Sequence, residues 1–488
     1  MIPASQTQTA AVLERLAGRA PLETHISAVF VGDDTVFKLR KAVRLPFLDF
    51  TTLAERHRTA LRELDLNAPH APGLYRDVVP VARGPDGQLA LGGGGEPVDW
   101  VLRMARVPEA DFLDAVAARG ELAPWLDELG DAVAAYHAAA PVHRLDGVAA
   151  QREVTLGDAR SARAAGLPEP EIAAWMAGML AELERRAGWL RQRGQDGFIR
   201  RVHGDLHLGN LCLWQGHPVP FDALEFDEAM ATTDVAYDLA FLLMDLEHKS
   251  GRAAANRVLC RYVARTGDWA LVAGLPLFLS QRAMVRAHVE AARGRTGESR
   301  AYLAMALGYL NPPPPLVVAV GGLQGTGKTT LARALAPELG AAPGALVLRS
   351  DEIRKRRGGV APEQHLPPSA YVGSDSRAVF AELFQAVAEV AAAGHAAVAD
   401  AVFLAPSDRQ AVQDAAGGVS FTGLWLQAPL SDLQRRIASR VRDASDATVD
   451  VLSRAATVDP GPLDWQKIDA TDAGRALTQA RDAVARLS

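Results

Sequence analysis

The chain has only two cysteines, Cys212 and Cys260, which excludes a disulfide framework, predicts no disulfide partner and fits a reducing compartment. Its longest apolar stretches, around 239–244 and 316–320, fall far short of the ~20 residues of a membrane helix. The N-terminus, MIPASQTQTAAVLERLAG, has neither a basic leading region nor an apolar stretch of signal-peptide length, so the expected location is the cytoplasm, with no membrane partner. A net charge of -6 gives no polybasic reason to expect nucleic acid. Disorder is excluded as well, because 49% of the residues are hydrophobic and 23% charged. At 488 residues the chain exceeds one ordinary core, and its length suggests about three compact units.

What is present begins with His203-Gly-Asp-Leu-His-Leu-Gly-Asn210, followed twelve residues later by Asp222. Asp205 and Asn210 stand five apart, the spacing of a base and a metal-binding Asn in a phosphoryl-transfer loop, and Asp222 stands where a second magnesium-binding Asp is expected. A loop must present Asp205 to an acceptor hydroxyl and turn Asn210 back toward the metal. A short hairpin, 211–214 with 219–221, delivers Asp222. Turn stabilisation alone would explain Asp205 and Asn210, but not the whole set at these distances.

HGDLHLGN, then FDALEF, then Asp234-Val-Ala-Tyr-Asp238-Leu-Ala resembles the aminoglycoside phosphotransferase and choline kinase branch of the protein-kinase-like fold. That branch has Gly in the catalytic loop where protein kinases have Arg, and this chain does too at Gly204. The resemblance covers roughly residues 20–310 and implies a bilobal domain, with an N-lobe at about 20–104 and a helical C-lobe at about 108–310. Asp222-Ala-Leu lacks the Phe-Gly of protein kinases, so an activation-loop switch of that type is not expected.

In the N-lobe, Val12, Leu13 and Leu16 mark a short amphipathic helix over 7–18. Residues 28–31 and 35–39, joined by Gly32-Asp-Asp, read as a hairpin with Lys38 on its second strand. In a kinase-like N-lobe that position supplies the ammonium for the α- and β-phosphates. Its acidic partner is expected on the helix over 52–66, where Glu55 and Glu63 are both available; Glu63 is favoured because the insertion 40–50 delays the helix. No G-x-G-x-x-G precedes the hairpin, which leaves Thr24-His-Ile-Ser27 to cover the phosphates. A second hairpin (78–82 and 88–91) and a strand (98–104) lead to a hinge at 103–107. Helices are predicted over 110–118, 122–139, 168–193, 232–247, 253–265 and 275–293. For the acceptor, Glu225, Asp227 and Glu228 would suit a cation, whereas Arg282 and Arg286, one helical turn apart, would bind an anionic group.

Asn311-Pro-Pro-Pro-Pro315 is a polyproline spacer and the expected boundary between residues 1–310 and 316–488. Beyond it, the apolar run Leu316-Val-Val-Ala-Val leads into Gly322-Leu-Gln-Gly-Thr-Gly-Lys-Thr329 and then a helical pattern. This is a Walker A sequence in its strand, loop, helix context. Gly322, Gly325, Thr326 and Gly327 let backbone N–H groups curl round the β-phosphate, Lys328 reaches the β- and γ-phosphates, Thr329 ligates magnesium and Thr330 assists phosphate binding. Strands over 345–348, 396–399 and 421–427 alternate with helices over 375–393, 406–415, 430–442 and 473–486, which predicts a doubly wound parallel sheet with flanking helices.

Arg349-Ser-Asp-Glu-Ile-Arg354, Asp400-Ala-Val-Phe and the arginines of 436–440 resemble small P-loop kinases related to gluconate kinases and zeta toxins. The resemblance implies that Asp351 orients or deprotonates an acceptor, Arg354 binds it, and Arg436 and Arg440 act as lid arginines. By the same resemblance, Asp400 would be a Walker B-like magnesium partner. The pairing of the two parts resembles bacterial bifunctional aminoglycoside phosphotransferase and ATP-binding proteins. The leading expectation is therefore an α/β and α+β multidomain kinase with two ATP·Mg2+ sites and small hydroxylated molecules as acceptors. A P-loop unit that senses ATP and transfers nothing, or a protein-directed kinase or toxin, are the alternatives.

Overall fold

Alternation of apolar residues builds the first sheet: Ala28, Phe30, Phe37 and Leu39 are buried on one face, and Lys38 and Arg40 lie on the other. The computed structural model describes residues 1–45, 48–371, 373–439 and 444–487. Residue contacts divide the chain into two units, Met1–His143 with Gly197–Asp238, and Arg144–Asp196 with Leu239–Ser488.

In the first unit, β1 (Leu22–Glu23), β2 (Ser27–Val31), β3 (Thr35–Arg40), β4 (Tyr75–Arg83), β5 (Leu89–Leu91) and β6 (Glu96–Ala105) form one sheet in the order β1-β2-β3-β6-β4-β5. Helix α1 (Thr7–Ala17) buries Ala10, Leu13 and Ala17 against the face that carries Phe30 and Phe37. The opposite face takes α2 (Leu53–Asn67), which is N-capped by Thr52 through its hydroxyl to the Glu55 N–H. Sheet register sets Lys38 opposite Leu102 of β6, at the centre of the face that α2 covers. The second part of the unit supplies β7 (Ile199–Arg201), the hairpin β8 (Leu211–Trp214) and β9 (His217–Pro220), and β10 (Thr232–Asp234) paired with β7. Helix α3 (Leu126–Ala139) packs beside β9.

The helix predicted from residue 232 starts three residues later, because 232–234 is recruited as the strand β10. Among the helices of the second unit that the sequence periodicity does not predict are α4 (Gly147–Ala164) and α9 below. The buried positions of α4 are Gln151, Thr155, Ala159 and Ala162, a face with no large apolar residue to register as a stripe.

The second unit continues with α5 (Glu169–Asp196), the greater part of α6 (Val235–Ser250), whose residues up to Asp238 belong to the first unit, α7 (Arg252–Thr266), α8 (Leu275–Ala292) and α9 (Thr296–Tyr309). Its sheet comprises β11 (Leu316–Gly322), β12 (Leu346–Arg349), β13 (Ala397–Asp400), β14 (Ser420–Gln427) and β15 (Gln466–Asp469), all parallel, in the order β12-β13-β11-β14-β15. Val318, Val320, Val347, Val398, Leu424 and Leu426 bury its strands completely or nearly so, as a parallel sheet requires. Strand β15 was not predicted; of Gln-Lys-Ile-Asp only Ile468 is buried. The edge strand β12 is covered by α7: Asn256 donates to the Ala345 carbonyl at 2.9 Å, and the Val347 N–H meets Cys260 Sγ at 3.4 Å. Burial pushes the Cys260 thiol up to about 12, so it packs as a neutral group. Among the described residues no helix is long and apolar enough to cross a membrane.

Candidate phosphoryl-transfer sites

The loop from His203 is shaped by backbone hydrogen bonds to side chains. Buried Asp238, at the start of α6, accepts the N–H groups of His203 (3.3 Å) and Gly204 (2.9 Å) and faces His137 Nε2 at 3.1 Å. Gly204 has φ 85°, and a Cβ there would meet Leu224 at 3.1 Å, so the turn favours glycine. His203 is completely buried, and that burial lowers its pKa and favours the neutral ring. Its Nε2 therefore donates to the Phe221 carbonyl at 2.9 Å, while Nδ1 takes the Asp205 N–H at 3.4 Å.

These contacts bring Asp205, Asn210 and Asp222 to one place. Asn210 Nδ2 donates to the Asp205 carboxylate and to its main-chain oxygen, both at 2.9 Å. Asp222 adopts φ 61°, a left-handed conformation that Asp tolerates better than most residues. The conformation is held on both sides: the Asp222 N–H donates to the Tyr75 hydroxyl at 2.9 Å, and the Ala223 N–H to Asn67 Oδ1 at 2.9 Å.

Lys38 reaches Glu63 at 2.7 Å and Asp222 at 2.5 Å. Glu55 is instead a half-buried partner of Arg58 in the first turn of α2. Lys38 is held protonated, with its pKa raised: burial opposes the charge, but the carboxylates of Asp222 and Glu63 outweigh it. Thr24 and Ser27 are engaged locally, Thr24 Oγ1 by the Ser27 N–H at 3.0 Å and Ser27 Oγ by Arg40 at 2.8 Å.

Glu225, expected as one of a cation-binding trio, is 5% exposed and lies against the Arg40 guanidinium as a charge contact without hydrogen-bond geometry. Glu228 pairs with Arg62 at 2.8 Å and Arg201 at 3.2 Å, and Asp227 caps the Met230 N–H. Arg282 stacks over Phe241, buried, and Arg286 pairs with buried Glu290 at 2.9 Å. Burial pushes the Glu225 carboxyl from 4.5 up to about 7, with Arg40 opposing and Glu63 reinforcing the rise. A raised carboxyl favours the folded state when protonated, a contribution fully present below about 4.5 and lost as pH rises through about 7. Glu225→Gln cannot titrate, so thermal unfolding from pH 5 to 8 is expected to show wild type losing stability relative to the variant as pH rises. A pH-independent difference would assign no such titration to Glu225.

The second site lies at the C-terminal ends of the parallel strands, the position of ligands in open α/β sheets. After β11, Gly325 (φ 82°) would drive a Cβ to 2.8 Å from the Leu433 carbonyl and Gly322 (φ 135°) one to 2.6 Å from that of Leu426, so both need glycine. The loop ends at Gly327 and α10 (Lys328–Leu335). Lys328 Nζ and Thr326 Oγ1 both donate to the Leu323 carbonyl, at 3.0 and 2.8 Å. Thr329 Oγ1 donates to Asp400 at 2.5 Å, and Asp400 also faces Arg349 at 3.3 Å. A cavity of about 970 Å³ opens here, lined by Lys328, Thr329, Thr330, Asp351, Arg354 and Arg436 among others. Asp351 and Arg354 belong to α11 (Ser350–Arg357), with the Arg354 guanidinium over the Tyr371 ring. Arg436 links the Gly325 carbonyl (3.4 Å) to that of Thr471 (2.9 Å). Arg440 lies outside the described residues.

Among the described residues no group of three or more His, Cys, Asp or Glu forms a cage able to hold a metal. Magnesium, however, is commonly held by one or two protein oxygens together with phosphates and water. Asn210 with Asp222, and Thr329 with Asp400, are donor sets of that kind, so the residues fit the ion.

Residues 21–275, just over half of the chain, match the model of the family described as "Phosphotransferase enzyme family". The chain belongs to that family. Residues 317–458 match the model described as "AAA domain". This phosphotransferase thus combines two kinase-type domains. It is 28% identical over 464 residues to the uncharacterized proteins Rv2004c of Mycobacterium tuberculosis and Mb2027c of Mycobacterium bovis, spanning 91% of this chain and 90% of each relative. Among solved structures, a glucosamine kinase (crystal form B) is 20% identical over 60% of this chain and 77% of its own, with a TM-score of 0.36. A gluconokinase from Sinorhizobium meliloti 1021 is 21% identical over 36% of this chain and 93% of its own, with a TM-score of 0.27. The family assignment rests on the sequence match and not on these superpositions.

Sequence reasoning assigned no role to three groups of this phosphotransferase. Asp238, quoted in its motif, braces the loop of Asp205. Arg349 joins Asp400 to Glu352, 2.8 Å away, at the end of β12. Asp446 gathers Lys355 (2.6 Å), the Tyr371 hydroxyl (2.5 Å) and the Leu366 N–H (3.0 Å) at the rim of the cavity. A buried charge at a strand or helix end is a signal for the first two; Asp446 stands in the run Asp443-Ala-Ser-Asp446 that accompanies the P-loop kinase resemblance, but its partners lie 75 or more residues away.

Proposed function

We propose that this phosphotransferase is bifunctional, each domain transferring the γ-phosphoryl group of ATP to a hydroxyl of a small molecule. The observation that supports this reading most strongly is the presence of two separate sets of phosphoryl-transfer groups, Lys38–Glu63 with Asp205, Asn210 and Asp222, and the Walker loop with Asp351 and Asp400. In the first, Asp205 takes the proton of the acceptor hydroxyl as its oxygen bonds to the γ-phosphorus and the bond to the β-phosphate oxygen breaks, releasing ADP. Lys38 binds the α- and β-phosphates, and Asn210 and Asp222 would hold magnesium, which neutralises developing phosphate charge when bound.

In the second, Lys328 meets the β- and γ-phosphates, Thr329 and Asp400 would hold the ion, Asp351 serves the acceptor hydroxyl, and Arg354 binds the acceptor. The functional boundary we propose is 311–315, between residues 1–310 and 316–488; the family matches stop and start on either side of it. If the reactions are sequential, Arg354 and Arg436 would suit an acceptor already phosphorylated by the first domain. Purified protein with ATP·Mg2+ and a panel of sugars, amino alcohols and their phosphates is expected to show acceptor-dependent ADP formation, lost at one site in Asp205→Ala and at the other in Asp351→Ala. Acceptor-independent behaviour across the panel would overturn the reading, and ATP binding by the P-loop domain without transfer would make it a sensor.

A further inference from the structure

Five charged side chains meet beside the first nucleotide site, and only part of the set belongs to the Lys38–Glu63 pair. Glu63 is completely buried, and its carboxylate is split between two cations: Oε1 accepts from Lys38 at 2.7 Å and Oε2 from Arg40. Arg40 follows Lys38 by two residues on β3 and therefore shares its face of the sheet. Only 3% of its surface is exposed. Its Nη1 is fixed by Ser27 Oγ at 2.8 Å, and its Nη2 also contacts Glu225, three residues beyond Asp222. Lys38, for its part, is shared between Glu63 and Asp222. Two cations thus serve three carboxylates.

That arithmetic matters when a nucleotide arrives. The Lys38 ammonium must then be shared with phosphates, and whatever it gives up is withdrawn from a carboxylate with no access to water. A buried carboxylate left without a compensating charge is strongly disfavoured. With Lys38 as its sole cation, Glu63 would hold the ammonium and resist that transfer. A second, permanently charged partner removes the conflict, and a guanidinium fits the task because its Nη2 can meet both carboxylates while Nη1 stays fixed on Ser27.

We infer that Arg40 is a positioning residue of the nucleotide site: it keeps Glu63 neutralised so that the Lys38 ammonium can engage phosphates, and through Glu225 it ties the segment carrying Asp222 to the sheet. The inference rests on the reading of Lys38 and Asp222 as nucleotide and metal ligands.

The test uses the full chain carrying Lys328→Ala, which confines binding to the first site, and calorimetric titration with a non-hydrolysable ATP analogue and Mg2+. Arg40→Met is expected to weaken binding by about tenfold or more, and Arg40→Lys, which keeps the charge but not the fork, by about threefold. The decisive comparison is a cycle with Glu63→Gln: once the carboxylate is gone, removing Arg40 should change affinity by no more than about threefold. An equal loss with and without the Glu63→Gln substitution would make Arg40 an ordinary packing residue and overturn the inference, as would unchanged affinity in both Arg40 variants. Should Arg40→Met fail to fold, as thermal unfolding would show, Arg40→Lys with and without Glu63→Gln gives the same comparison with smaller differences. Lys38→Ala separates the two levels. If it leaves the affinity intact, the reading of the site itself is at fault; if it abolishes binding while Arg40 is silent, only the inference falls.

Discussion

Asp205→Ala is expected to lower turnover at the first site by about a thousandfold while nucleotide affinity stays within about threefold of wild type, the scale of losing a positioned general base. The geometry separates the two effects. Lys38 and Asp222, which hold nucleotide and metal in the proposed mechanism, are anchored by Glu63, Tyr75 and the neighbouring Asn67 contact, none of which runs through the Asp205 carboxylate. Asn210 loses one acceptor but keeps the main-chain oxygen of residue 205 at 2.9 Å, so its side chain remains oriented. His203 still reaches the Phe221 carbonyl, and the loop still hangs from Asp238. ADP formation with an acceptor from the panel, measured in the Lys328→Ala background, gives turnover; titration with the non-hydrolysable analogue gives affinity. Weak binding with unimpaired turnover of the bound fraction would reverse the assignment and make Asp205 a metal or nucleotide ligand.

Two classes of ATP site should be counted in wild type, and each of two single substitutions should remove one. Lys328→Ala takes the cation from the Walker loop, where Nζ curls back to the Leu323 carbonyl, 3.0 Å away; the loop itself stands on Gly322 and Gly325 and on Thr326, so its shape should survive. The remaining backbone N–H groups cannot replace a full charge on the β- and γ-phosphates. Lys38→Ala removes the corresponding cation of the first site and leaves Arg40 to hold Glu63. Affinity losses of about a hundredfold or more at the affected site are the scale of losing a charged group from a phosphate site. Calorimetry should return two sites per chain for wild type and one for each variant. A single site in wild type, or the loss of both through one substitution, would contradict two independent nucleotide sites.

How much of this was legible before the fold was known depends on how far apart in the chain the interacting groups lie. The Walker loop and the Asp205–Asn210–Asp222 set are each written within about twenty residues, because strand, turn and glycine constraints fix such loops locally. The choice of Glu63 over Glu55 was also readable, since a helix delayed by an insertion presents its later turns to the strand. The helix 147–164 was not, because its buried face is made of small and polar residues and gives no apolar stripe. Nor was the polar edge strand 466–469, which owes its place to pairing with β14.

The sequence by itself carried the motifs: the loop of Asp205 and Asn210, the Walker A loop, their carboxylates and lysines, and a parallel sheet behind the second of them. Tertiary structure alone decided which charged side chains meet which partners. Sequence reasoning assigned no partner to Glu225, Glu228, Arg282 and Arg286, and folding sets them against Arg40, Arg62, Phe241 and Glu290. The reason is physical. A loop that cradles phosphate is specified by backbone dihedrals a few residues apart, whereas the role of a charged side chain depends on what desolvates and neutralises it, and for Arg40 and Glu225 that is a contact across 185 residues of chain that only folding creates.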